Sequence, residues 1–138
     1  MKYFTINELC KSSVASKKKI DNTPSEEVKV NLERLINEVL DPIREEFGKP
    51  ITVTSGYRCS KLNKEVGGQP NSFHLRGCAA DIIGDTNAKT KEIFDIAKRL
   101  GKFSECLFES NSRGSIWLHI SYDPSSSKHV CINNYKVK

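Results

Sequence analysis

His74, Asp81 and His119 are the residues of this chain whose types and spacing could do chemistry together. His74 and Asp81 stand seven positions apart in Ser72-Phe73-His74-Leu75-Arg76-Gly77-Cys78-Ala79-Ala80-Asp81, and the small residues Gly77, Ala79 and Ala80 let the backbone turn back sharply between them. A catalytic zinc ion takes three protein ligands from His, Asp or Glu and keeps a fourth position for water. Two imidazoles and one carboxylate would supply that set. On spacing alone, an unrelated loop histidine and a strand-end aspartate fit the same residues equally well.

The elements that must position these side chains are legible around them. In Ser115 to Tyr122, Ile116, Leu118 and Ile120 alternate with Trp117, His119 and Ser121, so the segment reads as a strand whose second face carries the histidine beside a tryptophan. Ala79 to Ile83 reads as a buried strand, and Gly67 to Ser72 as an exposed loop rich in turn formers. Upstream, Thr23-Pro24-Ser25-Glu26 has the pattern of a capping box with proline at the first helical position. Val28, Leu32, Leu35, Ile36, Val39, Leu40, Ile43 and Phe47 then form one helical stripe that stops at Gly48, and Pro42 is expected to kink it after Leu40. A shorter helix is expected over Asn7 to Ser16, with Lys17-Lys18-Lys19 a solvated face. Ile51 to Thr54 predicts a strand, and Thr86 or Asn87 caps a helix that carries Ile93, Phe94, Ala97 and Leu100 to Gly101. Cys106 to Glu109 and Lys128 to Ile132 complete the strands. The expected fold is α+β, a small antiparallel sheet with helices packed on one face.

A length of 138 residues with 37% hydrophobic residues fits a single domain over residues 1–138. No stretch approaches the roughly 20 apolar residues of a membrane span, and the N-terminus lacks the apolar run of a secretory signal. Synthesis in the cytoplasm is expected, with any release to the cell wall by other means. The five cysteines are odd in number and contain no C-x-x-C pair, so reduced thiols are expected. A formal charge of +5 favours an anionic partner such as nucleic acid, a membrane surface or bacterial wall. Scattered Lys and Arg, and aromatic residues at 8% with no stacking motif, argue against nucleic acid. No cysteine has a recognisable base partner, which disfavours a cysteine protease.

Ser72, His74, Gly77, Ala79 and Asp81 match S-x-H-x-x-G-x-A-x-D, which resembles the signature of the zinc D-Ala-D-Ala carboxypeptidase family of hedgehog-like metallopeptidases. Ser55-Gly56-Tyr57-Arg58 resembles that family's S-G-Y-R segment, and Trp117-Leu118-His119 its W-x-H segment. The helix beginning at Asp21-Asn22-Thr23-Pro24 resembles the N-terminal part of the phage or prophage branch, so the likeness runs from about Tyr3 to Ile132. It implies one Zn²⁺ on His74, Asp81 and His119, and a monomeric lysin-like peptidase that cuts peptidoglycan stem peptides as a carboxypeptidase or endopeptidase. It also implies that Arg58 binds a substrate carboxylate or polarises the carbonyl under attack, and that Ser72 binds substrate or a ligand, although turn-capping is an equal role for this serine.

A general base is still needed. Several relatives carry Glu three residues before the last histidine, where this chain has Ile116 on the opposite strand face. Glu109, across a hairpin turn from the His119 strand, is the expected base, and Glu105, at the start of its strand, is a weaker candidate. The missing Glu also leaves open a catalytically inactive, zinc-stabilised wall-binding module. His129 is expected to be exposed, Cys78 to pack, and Cys59 has no assigned role.

Overall fold

The computed structural model describes residues 1–134, so residues 135–138 of the expected domain lie outside the described residues. The long helical stripe forms α3 (Glu26–Leu35), a π turn (Ile36–Leu40) and α4 (Asp41–Phe47) in one right-handed run. Its N-cap is Ser25, whose hydroxyl accepts from the Val28 N–H, so the helix begins two residues later than the Thr23 capping box implied. Pro42 does not end the helix. Its ring would crowd the carbonyl four residues back, and the wider π turn lies over those residues, with the Asp41 N–H donating to the Ile36 carbonyl. Gly48 closes the run at φ 72°.

The N-terminal helix is split in two, α1 (Ile6–Cys10) and α2 (Ser13–Lys18). Thr5 caps the first and Ser12 the second, each through its hydroxyl, and the Ser12 cap breaks the helix expected over Asn7 to Ser16. Between β1 (Thr52–Ser55) and a 3-10 turn (Phe73–Arg76) lies α5 (Ser60–Glu65), too short to leave a periodic signal; its Leu62 packs with Ala15 and Ile20 in a small second core. Next come β2 (Ala79–Ile83), α6 (Asn87–Leu100, capped by Thr86), β3 (Glu105–Ser110), β4 (Ile116–Ser121) and β5 (Val130–Asn133).

The molecule is α+β, with five strands in the order β1-β2-β4-β3-β5. The first four pair antiparallel, as expected, but β5 runs parallel to β3 and makes the sheet mixed. The cause is geometric. Ser121 at the end of β4 lies opposite Glu105 at the start of β3, so a chain returning there along the free edge of β3 travels in the direction of β3.

One sheet face is apolar: Ala80, Ile82, Cys106, Phe108, Ile116, Leu118 and Ile120 are buried, with α6 packed on β2, β3 and β4 and α4 packed on α6. Phe94 of α6 stacks on Phe108, ring centroids 5.1 Å apart. Full burial of Leu118 on the central strand contributes about 2 kcal/mol. Ile116 belongs to this face, which is why the position three residues before His119 cannot supply a base. The opposite face carries Asp81, Glu105, Leu107, Glu109, Trp117 and His119, and these line a cavity of about 510 Å³. Among the described residues no helix is long and apolar enough to cross a membrane, and all five cysteines are free.

Candidate metal centre

Local structure brings the three candidate ligands together from two directions. His74 sits on the 3-10 turn, whose start is fixed by the Ser72 hydroxyl accepting from the His74 N–H at 3.1 Å. Gly77 ends the turn at φ 74°, and a β-carbon there would lie 2.8 Å from Val28 Cγ1 and 2.9 Å from the Val28 carbonyl oxygen. Both the left-handed backbone and the close approach to α3 require glycine. The chain then enters β2, where Asp81 is directly opposite His119 of β4. The separation of 38 positions between these two is thus closed by strand register.

Hydrogen bonds fix what each ring offers. His74 Nδ1 lies 2.7 Å from the Gly56 carbonyl oxygen, which can only accept, so Nδ1 carries the hydrogen and Nε2 turns a lone pair toward Asp81 Oδ1 at 3.3 Å. His119 Nδ1 lies 3.0 Å from the same Oδ1, and His119 Nε2 lies 2.9 Å from Glu105 Oε1. With Nε2–H donating to Glu105, Nδ1 also directs a lone pair at Asp81. One oxygen and two nitrogens, all acceptors, lie within 4.8 Å of one another, a group that could hold a shared cation. The nitrogen and carboxylate donors suit zinc, and Gly56 and Glu105 hold the two rings in the tautomers that ligation requires.

Without an ion, a proton plays that part. Burial opposes charge on His119, but Asp81 and Glu105 outweigh it and raise its pKa to about 9. Burial also opposes the Asp81 carboxylate, yet the His119 and His74 rings hold its pKa well below the usual range. The His119 partnership holds Glu105 at about 2 against burial, helped by Lys128 and Ser121. Since the His119 value is raised, its stabilising contribution to the metal-free chain is complete below about pH 6.5 and disappears as pH rises through about 9. The Asp81 value is depressed, so its contribution is present above the ordinary value of 3.8 and is lost in stronger acid. The melting temperature of chelator-treated protein is therefore expected to fall from pH 6.5 to pH 9. Zinc held by His119 as the neutral ring should remove that fall. Equal slopes in the two forms would contradict the assignment.

Both carboxylates of β3 flank the centre. Leu107 is opposite His119, so Glu105 and Glu109 are its two diagonal neighbours on the same face. Glu105 is fully engaged, accepting from Ser121 Oγ at 3.0 Å and Lys128 Nζ at 2.8 Å as well as from His119. Glu109 lines the cavity and, among the described residues, its carboxylate accepts only from Asn134 Nδ2, at 3.0 Å. The sequence offers Glu105 only as a weaker base candidate, and its positioning part emerges from the structure; strand alternation through Glu105, Leu107 and Glu109 is the signal that could have found it.

Arg58 and Ser72 line the same cavity. The Arg58 backbone N–H donates to the His74 carbonyl at 3.1 Å. Its side chain is half-buried, Nε is without a hydrogen-bond partner among the described residues, and burial lowers its pKa against the attraction of Asp81. His129 is exposed and stacks on Phe103, outside the centre, and Cys78 is buried in packing.

A family model described as Peptidase M15 matches residues 2–121, a span that includes Arg58, the three candidate ligands and both β3 carboxylates. No curated protein matches the chain.

Proposed function

Since this chain belongs to the Peptidase M15 family of metallopeptidases, we propose that it hydrolyses peptide bonds of peptidoglycan stem peptides with one zinc ion held by His74, Asp81 and His119. The observation that carries the reading is the convergence of two tautomer-fixed imidazoles on one partly buried carboxylate oxygen that lines an open cavity. Bound zinc supplies a Lewis acid and brings the acidity of water near neutrality.

The chain's own residues do the rest. Glu109 takes a proton from the attacking water and returns it to the leaving amine as the C–N bond breaks, so one water is consumed and one amine and one carboxylate are released. Glu105, already paired with three donors, is poorly placed to accept that proton and instead keeps Nε2–H of His119 turned away from Asp81. Arg58 presents planar, parallel N–H donors to the substrate carbonyl or to a terminal carboxylate. Ser72 shapes the turn that carries His74 and faces the cavity as a substrate contact.

The net charge of +5 suits an anionic wall. Digestion of purified muropeptides followed by mass spectrometry tests the proposal. A new amine and carboxylate pair at one stem-peptide bond, abolished by chelator and restored by zinc, is the expected result. Stoichiometric zinc binding with every muropeptide left intact would replace the peptidase reading with that of a zinc-stabilised wall binder.

A further inference from the structure

Arg58 is held in the cavity by its backbone. Among the described residues its guanidinium is in no ion pair and feels a longer-range attraction to Asp81, and Nε is buried without a hydrogen-bond partner. The peptides on either side of it are tied to a single side chain. Asn22 Nδ2 donates to the Tyr57 carbonyl at 3.0 Å, and Asn22 Oδ1 accepts from the Cys59 N–H at 2.8 Å. The second hydrogen of Nδ2 goes to the Cys10 carbonyl, also at 3.0 Å, which anchors the asparagine on the end of α1. All three interactions use the amide in its only consistent orientation, with the nitrogen on carbonyls and the oxygen on an N–H.

The same short segment reaches the metal centre. Gly56 gives its carbonyl to His74 Nδ1, Tyr57 donates its N–H to the Leu9 carbonyl at 2.7 Å, and Arg58 donates its N–H to the His74 carbonyl. Gly56 could carry no side chain here, since a β-carbon would lie 2.0 Å from the Leu9 carbonyl oxygen. The loop is therefore pressed on α1 on one side and bonded to the His74 turn on the other, and Asn22 brackets the one residue between them whose side chain has no anchor of its own.

We propose that Asn22 is a positioning residue that sets the direction of the Arg58 guanidinium toward the substrate. This rests on the peptidase reading for what Arg58 does, but its structural content is independent of it. Loss of the bracket removes the ties on the Tyr57 and Cys59 peptides and leaves Arg58 held by its own N–H bond to His74, and a displacement of about 1 Å at a reacting group costs on the order of 100-fold in rate.

The test is a double-mutant cycle in zinc-loaded protein, with kcat/KM measured on the muropeptide that the wild type cleaves. Asn22→Ala is expected to lower kcat/KM by about 10- to 100-fold with zinc stoichiometry retained. Asn22→Asp, which keeps the acceptor for Cys59 but turns a carboxylate oxygen toward the Tyr57 and Cys10 carbonyls, should lower kcat/KM at least as far as Asn22→Ala. In an Arg58→Ala background, Asn22→Ala should cost less than about threefold, because the group it positions is gone. Additive losses would overturn the proposal, as would full activity in Asn22→Ala, or failure of both Asn22 variants to fold, since each outcome assigns Asn22 a purely structural part. Amide hydrogen exchange at Arg58 and Cys59 decides the case even if the wild type cuts no wall peptide. Protection lost in Asn22→Ala at these two amides, and kept in α6, supports the bracket; protection kept at both overturns it.

Discussion

Asp81→Ala is expected to bring zinc content far below one per chain and peptide hydrolysis below about one-thousandth of wild type. Among the described residues Asp81 is the one anion that both rings share, with Oδ1 at 3.3 Å from His74 Nε2 and 3.0 Å from His119 Nδ1. Its removal leaves two neutral nitrogens facing an open corner and takes away the negative charge that balances a divalent cation. It also removes one of the two carboxylates that raise the His119 pKa, so the ring should titrate lower in the metal-free variant. Asp95→Ala is the matched control. That carboxylate pairs with Lys91 on the exposed side of α6, outside the cavity, and its loss should change neither zinc content nor rate. Zinc content by elemental analysis and turnover on muropeptides read both variants.

Glu109→Gln should behave in the opposite way with respect to metal. The amide keeps the shape of the side chain and can still meet Asn134, but it cannot accept a proton. Zinc stays at one per chain while kcat falls by about 100- to 10,000-fold. Glu105→Gln gives the contrast that identifies the base. It retains an oxygen for the His119 Nε2–H but loses the charge that Lys128 and the ring both use, so its effect should fall on metal affinity, by about 10- to 100-fold, more than on kcat at saturating zinc. If Glu105→Gln abolished turnover with zinc bound while Glu109→Gln did not, the two carboxylates would exchange roles.

The fold was readable wherever a repeating pattern of burial controls it. The stripe from Val28 to Phe47 and the alternation from Ile116 to Ser121 each report a face packed against the core, and both were placed correctly. Signals failed where a local hydrogen bond decides between neighbouring conformations: Ser12 splits the first helix, and α5 buries little beyond Leu62 and Asn63. The direction of β5 depends on where β4 ends in space, which no local pattern encodes.

The candidate ligands were visible as residue types, but their convergence depends on the register between Asp81 and His119 and on a glycine at Gly77 that must touch α3. Distance from the hairpin turn makes Glu105 the weaker base candidate in the sequence, but its part is set by strand register: diagonal to His119 across β3 and β4, it reaches His119 Nε2 directly. Asn22 stands in the segment whose likeness to the phage branch is visible, but nothing in its pattern assigns it a part, since an asparagine near a helix start is an ordinary turn residue until the Tyr57 and Cys59 peptides are seen to lie against it.

Anomalous scattering from crystals of zinc-loaded protein, recorded on both sides of the zinc absorption edge, measures the convergence of the three side chains directly. One peak is expected, about 2.0–2.1 Å from His74 Nε2 and from His119 Nδ1 and about 2.0–2.2 Å from an Asp81 carboxylate oxygen. A stoichiometric zinc ion found elsewhere in the molecule, with these three side chains outside ligand distance, would contradict the assignment of the centre and the peptidase mechanism built on it.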